Sequence, residues 1–445
     1  MAYIQQNKGG IQLEIYIPPY INGNVGLNCT DIKFSGTYNG GLNLKFTLID
    51  ENLSRWDAFY KNVWYPRKLK ELIYVHFKIR YTDGSYPETS TRLCQLALTK
   101  ANIRSRGGFA GMLIDFEAIS TADYQLSYAT ASGKAYKGRI SQVIEQVIAE
   151  HSTVPCKVIP TLDSKENYWY MMRQRPPRFI RQLMEMGTMF TKSNTQMVYG
   201  VKEYAPSEKI EPLISICPQG ERKPQPMGRY KNTTIFEFQS IGNEDFIALQ
   251  NKISCSGISS TTGEYIDVKS DPKELYSIVK DSNTSAKITA GYPSPNGFIK
   301  QNEAIGFMKG TYALKTPPEL YSDGCVGYMY RDYIRNRSVN QYMNSVYNLM
   351  HARFNVFGIG LMDNTIGLGT DTIYIDFDRA DDKGIPTEDA ALEEAEGPGQ
   401  THHWTGSWTL MGFEHTWNID AKSWLTTVDI SRFTTDAKAT RFSEE

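Results

Sequence analysis

Period-two alternation dominates the first part of the chain and limits what it builds. Ile11, Leu13, Ile15 and Ile17 alternate with other side chains, as do Leu42, Leu44, Phe46 and Leu48. Ile73, Val75, Phe77 and Ile79 repeat the pattern, and Cys94, Leu96 and Leu98 repeat it again. In an extended chain every second side chain shares a face, so each run carries an apolar face that another layer must cover. Turn formers separate the runs: Asn22-Gly23-Asn24, Asn39-Gly40-Gly41 and Asp83-Gly84-Ser85. One helical patch interrupts over residues 52–63, with Trp56, Phe59, Tyr60 and Val63 on one side. Several strands crossed by one helix predict a closed or half-closed barrel over residues 1–132.

The period changes over residues 133–216. Ile140, Val143, Ile144, Val147 and Ile148 form a helical stripe. Val158 and Ile159 make a short β-branched run closed by Pro160, and Asn167 to Met172 is an aromatic extended run. Pro177 suits a helix's first turn, Phe179, Ile180, Leu183 and Met184 form its stripe, and Gly187 suits its end. Met197-Val198-Tyr199 returns as a strand, completing a small α/β unit.

Residues 217–232, with Pro218, Gly220, Pro224, Pro226 and Gly228 among charges, read as a linker. Residues 233–435 form the last domain. It opens on a strand, Thr233 to Gln239, and is interrupted at about 246–337 by an irregular mixed insertion rich in proline and glycine. Val339, Tyr342, Met343, Val346, Leu349 and Met350 then fit a helix, followed by a strand from Phe354 to Leu361. Ile373, Ile375 and Phe377 alternate, and an acidic loop spans 378–400. Strands Ser407 to Trp417 and Lys422 to Phe433 close the domain, and 436–445 is a polar tail. The chain is α+β and mainly β.

With 445 residues, one ordinary core does not suffice, and two to four domains are expected. A hydrophobic share of 40% with 22% charged residues is that of a folded soluble protein. The 28 Tyr, 19 Phe and 7 Trp favour strands, whose aromatics serve either core or contact surfaces. A net charge of −1 argues against a dedicated nucleic-acid binder, which needs clustered cations. The six cysteines are scattered, without Cys-x-x-Cys, and read as buried reduced thiols. Residues 1–10 lack a secretory layout, and the mostly apolar run Phe354 to Met362 is too short for a bilayer. No membrane insertion is expected.

Catalytic signals are weak. His402-His403 with His415 lacks a carboxylate or thiol at ligand spacing, so a loop edge and a strand histidine are the simpler reading. Asp376-Phe377-Asp378 starts like a calcium loop, but Ala380 and Asp381 occupy the fifth and sixth places. No Gly-x-Ser-x-Gly, Walker loop or His-Glu-x-x-His is present. No catalytic, cofactor or metal residue is assigned, and the chain is read as not an enzyme. Arg173, Arg175, Arg178 and Arg181 form a basic cluster. They either meet an acidic partner surface or a phosphate, or are solvated with packed stems.

Two stretches carry a family resemblance. The first is Ile140-Ser141-Gln142-Val143-Ile144-Glu145-Gln146-Val147-Ile148-Ala149-Glu150-His151, the aromatic strand, and then the helix from Arg178-Phe179-Ile180-Arg181-Gln182-Leu183 to Gly187. It resembles an insert of the baseplate hub proteins of tailed phages, and of the N-terminal half of type VI secretion spikes. Met184, Met186 and the Arg175-Pro176-Pro177 entry depart from the family pattern. The second is Leu368 to Phe377 with Gly406 to Trp417 and Trp424 to Arg432, which resembles the hub's closing hairpin. His415 and Arg432 fall where that pattern has a histidine and an arginine.

Together these cover roughly half the sequence. The resemblance implies two tail-tube-like β-barrels, near 1–130 and 231–435, with the α/β unit inserted. It implies a homotrimer whose pseudo-sixfold ring adapts a hexameric tail tube to a trimeric central spike and surrounds the ejection channel. Tube and spike proteins are the implied partners, with tape-measure and baseplate wedge proteins as further ones and DNA in transit. The implied location is the virion's tail baseplate, after synthesis in the host bacterial cytoplasm. The hub part of a type VI-like spike and a tail-associated peptidoglycan hydrolase are the competing readings.

Overall fold

Alternating strands need partners for their backbone groups, and here most find them in a single sheet. The computed structural model describes residues 11–17, 21–25, 29–37, 40–50, 54–65, 73–81, 92–105, 112–158, 166–187, 197–202, 204–205, 213–218, 226–231, 235–241, 253–258, 265–270, 350–357, 368, 372–376, 406–418 and 423–432. The strands are β1 (Ile11–Ile17), β2 (Ile21–Val25), β3 (Cys29–Thr37), β4 (Leu42–Asp50), β5 (Tyr74–Tyr81), β6 (Arg92–Ser105) and β7 (Met112–Ser120). After them come β8 (Ser132–Gly138), β9 (Cys156–Val158), β10 (Asn167–Gln174), β11 (Met197–Lys202), β12 (Tyr204–Ala205), β13 (Leu213–Pro218) and β14 (Pro226–Lys231). The last are β15 (Glu237–Ile241), β16 (Ile253–Ile258), β17 (Tyr265–Ser270), β18 (Met350–Phe357), β19 (Thr372–Asp376), β20 (Gly406–Asn418) and β21 (Ser423–Arg432). Helices cover Ser54–Phe59, Thr121–Tyr128, Ile140–His151 and Pro176–Gly187. The fold is α+β and mainly β.

Fourteen strands join one sheet, whose path runs β15-β18-β21-β20-β3-β4-β7-β6-β5-β1-β2. Among the described residues this path does not close into a barrel. It contains the same strand path twice. The N-terminal part reads β3-β4-β7-β6-β5-β1, and the C-terminal part reads β15-β18-β21-β20-β19-β14 in the same chain order. The two differ at the last step, where β1 is antiparallel to β5 but β14 is parallel to β19.

The match extends to single residues. A bulge interrupts β6 between Leu98 and Lys100, and another interrupts β20 between Leu410 and Gly412. Inward positions agree: Leu44, Phe46 and Leu48 on β4 correspond to Ala352, Phe354 and Val356 on β18, all buried. On the other face Lys45 lies opposite Glu117, as Arg353 lies opposite Asp429. Both pairs are ion pairs, with nitrogen–oxygen separations of 3.3 and 2.7 Å. One ladder step away, Thr47 Oγ1 donates to Asp115 Oδ1, and Thr427 Oγ1 donates to Asn355 Oδ1 at the matching place. The core of the big sheet draws on both repeats, from Ile15 to Ile430. Each fully buried Phe or Ile there contributes about 1.5–3 kcal/mol.

Several expectations need correction. Asn22-Gly23-Asn24 lies inside β2, opposite Tyr16, Ile15 and Glu14, and is not the turn. β1 ends at Ile17 and β2 begins at Ile21, and residues 18–20 lie outside the described residues. The stretch read as linker carries a strand, because β14 pairs with β19 despite its leading proline. Met350 belongs to β18 and does not end a helix; of the strand expected from Phe354 to Leu361, residues 354–357 lie in β18 and 358–361 lie outside the described residues. The predicted helix at 338–349, the acidic loop and the polar tail lie outside the described residues. Within the span read as irregular, β16 and β17 form an antiparallel hairpin. The strand expected over 233–239 sits at 237–241. The first helix widens into a π-helical turn, Tyr60–Trp64. Phe59 stays buried, Tyr60 faces out, and Trp64 packs on the core.

In the stretch of chain between the two repeats, β8 and β10 pair antiparallel in a separate sheet. The helix Ile140–His151 buries Val143, Ile144, Val147 and Ile148, as its stripe predicts, and the helix Pro176–Gly187 buries Phe179, Ile180 and Leu183. Trp169 is buried and its Nε1 donates to the Gly138 carbonyl at 3.0 Å. Gly138 itself has φ +150°, a region that favours glycine. Trp169→Phe keeps an aromatic ring but leaves that carbonyl without its donor. We expect a loss of about 1–3 kcal/mol in urea unfolding. An unchanged midpoint would show that this bond carries no net stability.

Candidate interaction surfaces

The two repeats meet at a seam between β20 and β3. Gly412 to Trp417 on β20 pairs antiparallel with Ile32 to Thr37 on β3. The alternation of β20 puts Phe413, His415 and Trp417 on one buried face, where Ile32 and Phe34 meet them. Phe34 stacks near-parallel over the His415 ring, with centroids 6.5 Å apart, and lies 6.0 Å from the Phe413 ring. His415 is also 4.9 Å from Phe413 and 5.7 Å from Trp417. Gly36 allows the close approach, since a Cβ there would come 2.8 Å from the Phe413 ring edge. On the outer face Lys33 and Glu414 stand 3.6 Å apart, an exposed pair worth little.

His415 is fully buried, with its Nδ1 2.8 Å from Thr426 Oγ1. Burial pushes its pKa down to about 3, so the ring is neutral at neutral pH. The histidine singled out in the sequence is thus a packing group at a strand junction. His402 and His403 lie outside the described residues. Among the described residues, no cluster of three His, Cys, Asp or Glu side chains is arranged to hold a metal ion. No helix among them is long and apolar enough to cross a membrane. Cys156 is a free thiol whose pKa burial raises to about 12, which suits a packed group and not a nucleophile.

The strand elements that form the seam exist a second time. The counterpart of Gly412 to Trp417 is Lys100 to Ser105, the part of β6 beyond its bulge. On its β7 side this stretch is paired, whereas ladder pairing with β5 ends at Ala97. The counterpart of β3 is β15, which ends the sheet path. The consequence shows in burial: His415 is 0% exposed, but Ile103, at the matching place, is 40% exposed. Sequence reasoning missed both edges. The alternation Ile32, Phe34 was available as a signal, but no local pattern tells which strand a long strand will meet.

The four arginines gather around the start of the helix Pro176–Gly187, and all are exposed. Arg173 sits in the bulge of β10 between Met171 and Gln174 with φ +38°. Arg175 accepts from the Phe179 N–H through its carbonyl, closing the helix's first turn. Arg178 and Arg181 follow on the helix's outer side.

No protein-family model matches the sequence, and no curated protein does. Solved structures match the fold. A tail protein from Neisseria meningitidis MC58 is similar with a TM-score of 0.54 and 8% identity, covering 96% of this chain and 99% of that one. The 43 kDa tail protein of prophage MuSo2 from Shewanella oneidensis is similar with a TM-score of 0.50 and 10% identity, covering 97% and 100%. The chain therefore has the fold of phage tail proteins, over nearly its whole length.

Proposed function

We propose that this chain is a structural subunit of a phage tail baseplate hub. Three copies form a pseudo-sixfold ring that adapts a hexameric tail tube to a trimeric central spike and surrounds the ejection channel. The observation that carries this reading is the strand path repeated twice in one chain and joined at the β20–β3 seam. Two equivalent units per chain, three times over, present six similar faces to a sixfold tube. Each repeat acts as a tube-like barrel shell in the assembly, with the α/β unit set between them. The opposite face keeps threefold symmetry and seats a trimeric spike. Likeness in fold to phage tail proteins supports the tail location. The role needs rigidity and not catalysis, and a continuous hydrogen-bonded sheet supplies it. The exposed arginines Arg173, Arg175, Arg178 and Arg181 are the contacts we assign to an acidic partner surface.

Light scattering on the purified chain, alone and mixed with the tube and spike proteins of the same phage, tests the reading. A particle of three chains that binds both partners is the expected result. A chain that stays monomeric in every mixture, or that clears peptidoglycan in a zymogram, would overturn it.

A further inference from the structure

The chain solves one joining problem internally and, among the described residues, presents the same two edges again: β15, at one end of the sheet path, and the part of β6 beyond its pairing with β5. Inside the chain, the part of β20 beyond its bulge takes β3 as an antiparallel neighbour. Among the described residues, the equivalent part of β6, Lys100 to Ser105, and the equivalent of β3, which is β15, are each paired on one side in the sheet ladder. Residue matching fixes their relation to the seam. Lys33 lies opposite Lys45 as Gln239 lies opposite Arg353, so Lys33 and Phe34 correspond to Gln239 and Ser240. The bulges align His415 and Thr416 with Ile103 and Arg104.

We infer that a second copy of this chain completes the joint: β15 of one copy adds as an antiparallel strand to Lys100–Ser105 of the next. The register follows the internal seam, so Ser240 stands opposite Ile103 and Gln239 opposite Arg104. Exposed strand edges recruit strands, and this one has a built-in template for which strand fits. The surfaces are compatible. Ile103 is 40% exposed where its seam counterpart is wholly buried, so it gains the cover that His415 already has. At the places of Lys33 and Glu414, the seam's outer ion pair, stand Gln239 and Asn102, two amides that can bond without charge. Each copy offers one β15 and one Lys100–Ser105 edge, so the contact is head-to-tail and closes into a ring when the rotation allows. The closure at three copies rests on the hub reading; the joint itself rests on the repeat.

Cysteine pairs read the joint directly. Ser240→Cys with Ile103→Cys, and Gln239→Cys with Arg104→Cys, are placed in the full chain and oxidised with diamide. Wild type and each single variant are oxidised in parallel to account for the native thiols. Adjacent antiparallel pairs place Cα atoms about 4.5 or 5.5 Å apart, and testing both covers either site type within disulfide reach. Light scattering of the unoxidised proteins gives the copy number. The expected result is that at least one double variant gives covalent dimers and trimers, with none larger, and that the singles do not. A three-chain particle that neither pair cross-links would overturn the joint while leaving the hub reading intact. A ladder running past three chains would support the joint and overturn the threefold hub. A monomer under all conditions would overturn both, and single variants cross-linking as well as the doubles would overturn the joint.

Discussion

Phe34→Ala is expected to lower unfolding free energy by about 3–5 kcal/mol, because it empties a buried aromatic site that cannot collapse. Phe34 is 1% exposed and its ring touches Phe413 and His415 from across the seam. Backbone around it is held on both sides, by β4 and by β20, so relaxation into the cavity is small. Because the sheet runs unbroken through this point, both repeats should respond together. Urea unfolding followed by tryptophan fluorescence and by circular dichroism is the measurement. The expected outcome is a single transition moved to lower urea with both probes in agreement. Tyr265→Ala, at a 69% exposed site, serves as the control and should change stability by less than about 0.5 kcal/mol. Two transitions of which only one moves would mean that the repeats fold independently and that the seam is a minor contact.

Acid should loosen the seam before it touches the carboxylates. The folded His415 has a pKa of about 3, well below the ordinary value of 6.5, because burial disfavours its charged form. The unfolded chain therefore binds a proton that the folded chain refuses. The stability this supplies is complete above about pH 6.5 and is lost as pH falls toward the folded value. At about 1.4 kcal/mol per pH unit, moving from pH 6.5 to 4.5 removes about 2–3 kcal/mol. His351, whose pKa burial also lowers, adds in the same direction. Glu117 is held below the usual carboxylate range, chiefly by its hydrogen bond from Lys100. Its contribution is lost in a lower window, below about pH 4.5.

The first repeat shows how to remove the sensitivity, since its matching residues are Ile103 and Ile114 where the second has His415 and Thr426. A His415→Ile, Thr426→Val double variant removes the imidazole and its buried hydroxyl partner together. It should lose most of the slope between pH 6.5 and 4.5, measured by urea midpoints at each pH. A variant that keeps the full slope would assign the acid response elsewhere.

Local period was enough to find much of this molecule. Helical stripes at Val143, Ile144, Val147 and Ile148, and at Phe179, Ile180 and Leu183, are buried as their spacing requires. The closing pair, β20 and β21, lies within a residue of its predicted bounds, because long alternating runs of Trp, Phe, Val and Ile leave little choice. Errors cluster where short-range rules compete. Asn22-Gly23 has turn chemistry but is held in a strand by its partner β1, and the proline-rich linker still supplies a strand to β19. The helix Thr121–Tyr128 was not foreseen, since it follows β7 directly and has only a weak apolar stripe.

Alternation dictated which residues of the chain turn inward and that the chain is mostly β, because side-chain period is a property of neighbours along the backbone. The seam, the exposed edges of β6 and β15, and the burial of His415 were decided by tertiary pairing alone. Ladder hydrogen bonds join groups that every residue but proline carries, so strand choice is written in register, bulges and close approaches such as Gly36 on Phe413, which exist only once distant strands have met.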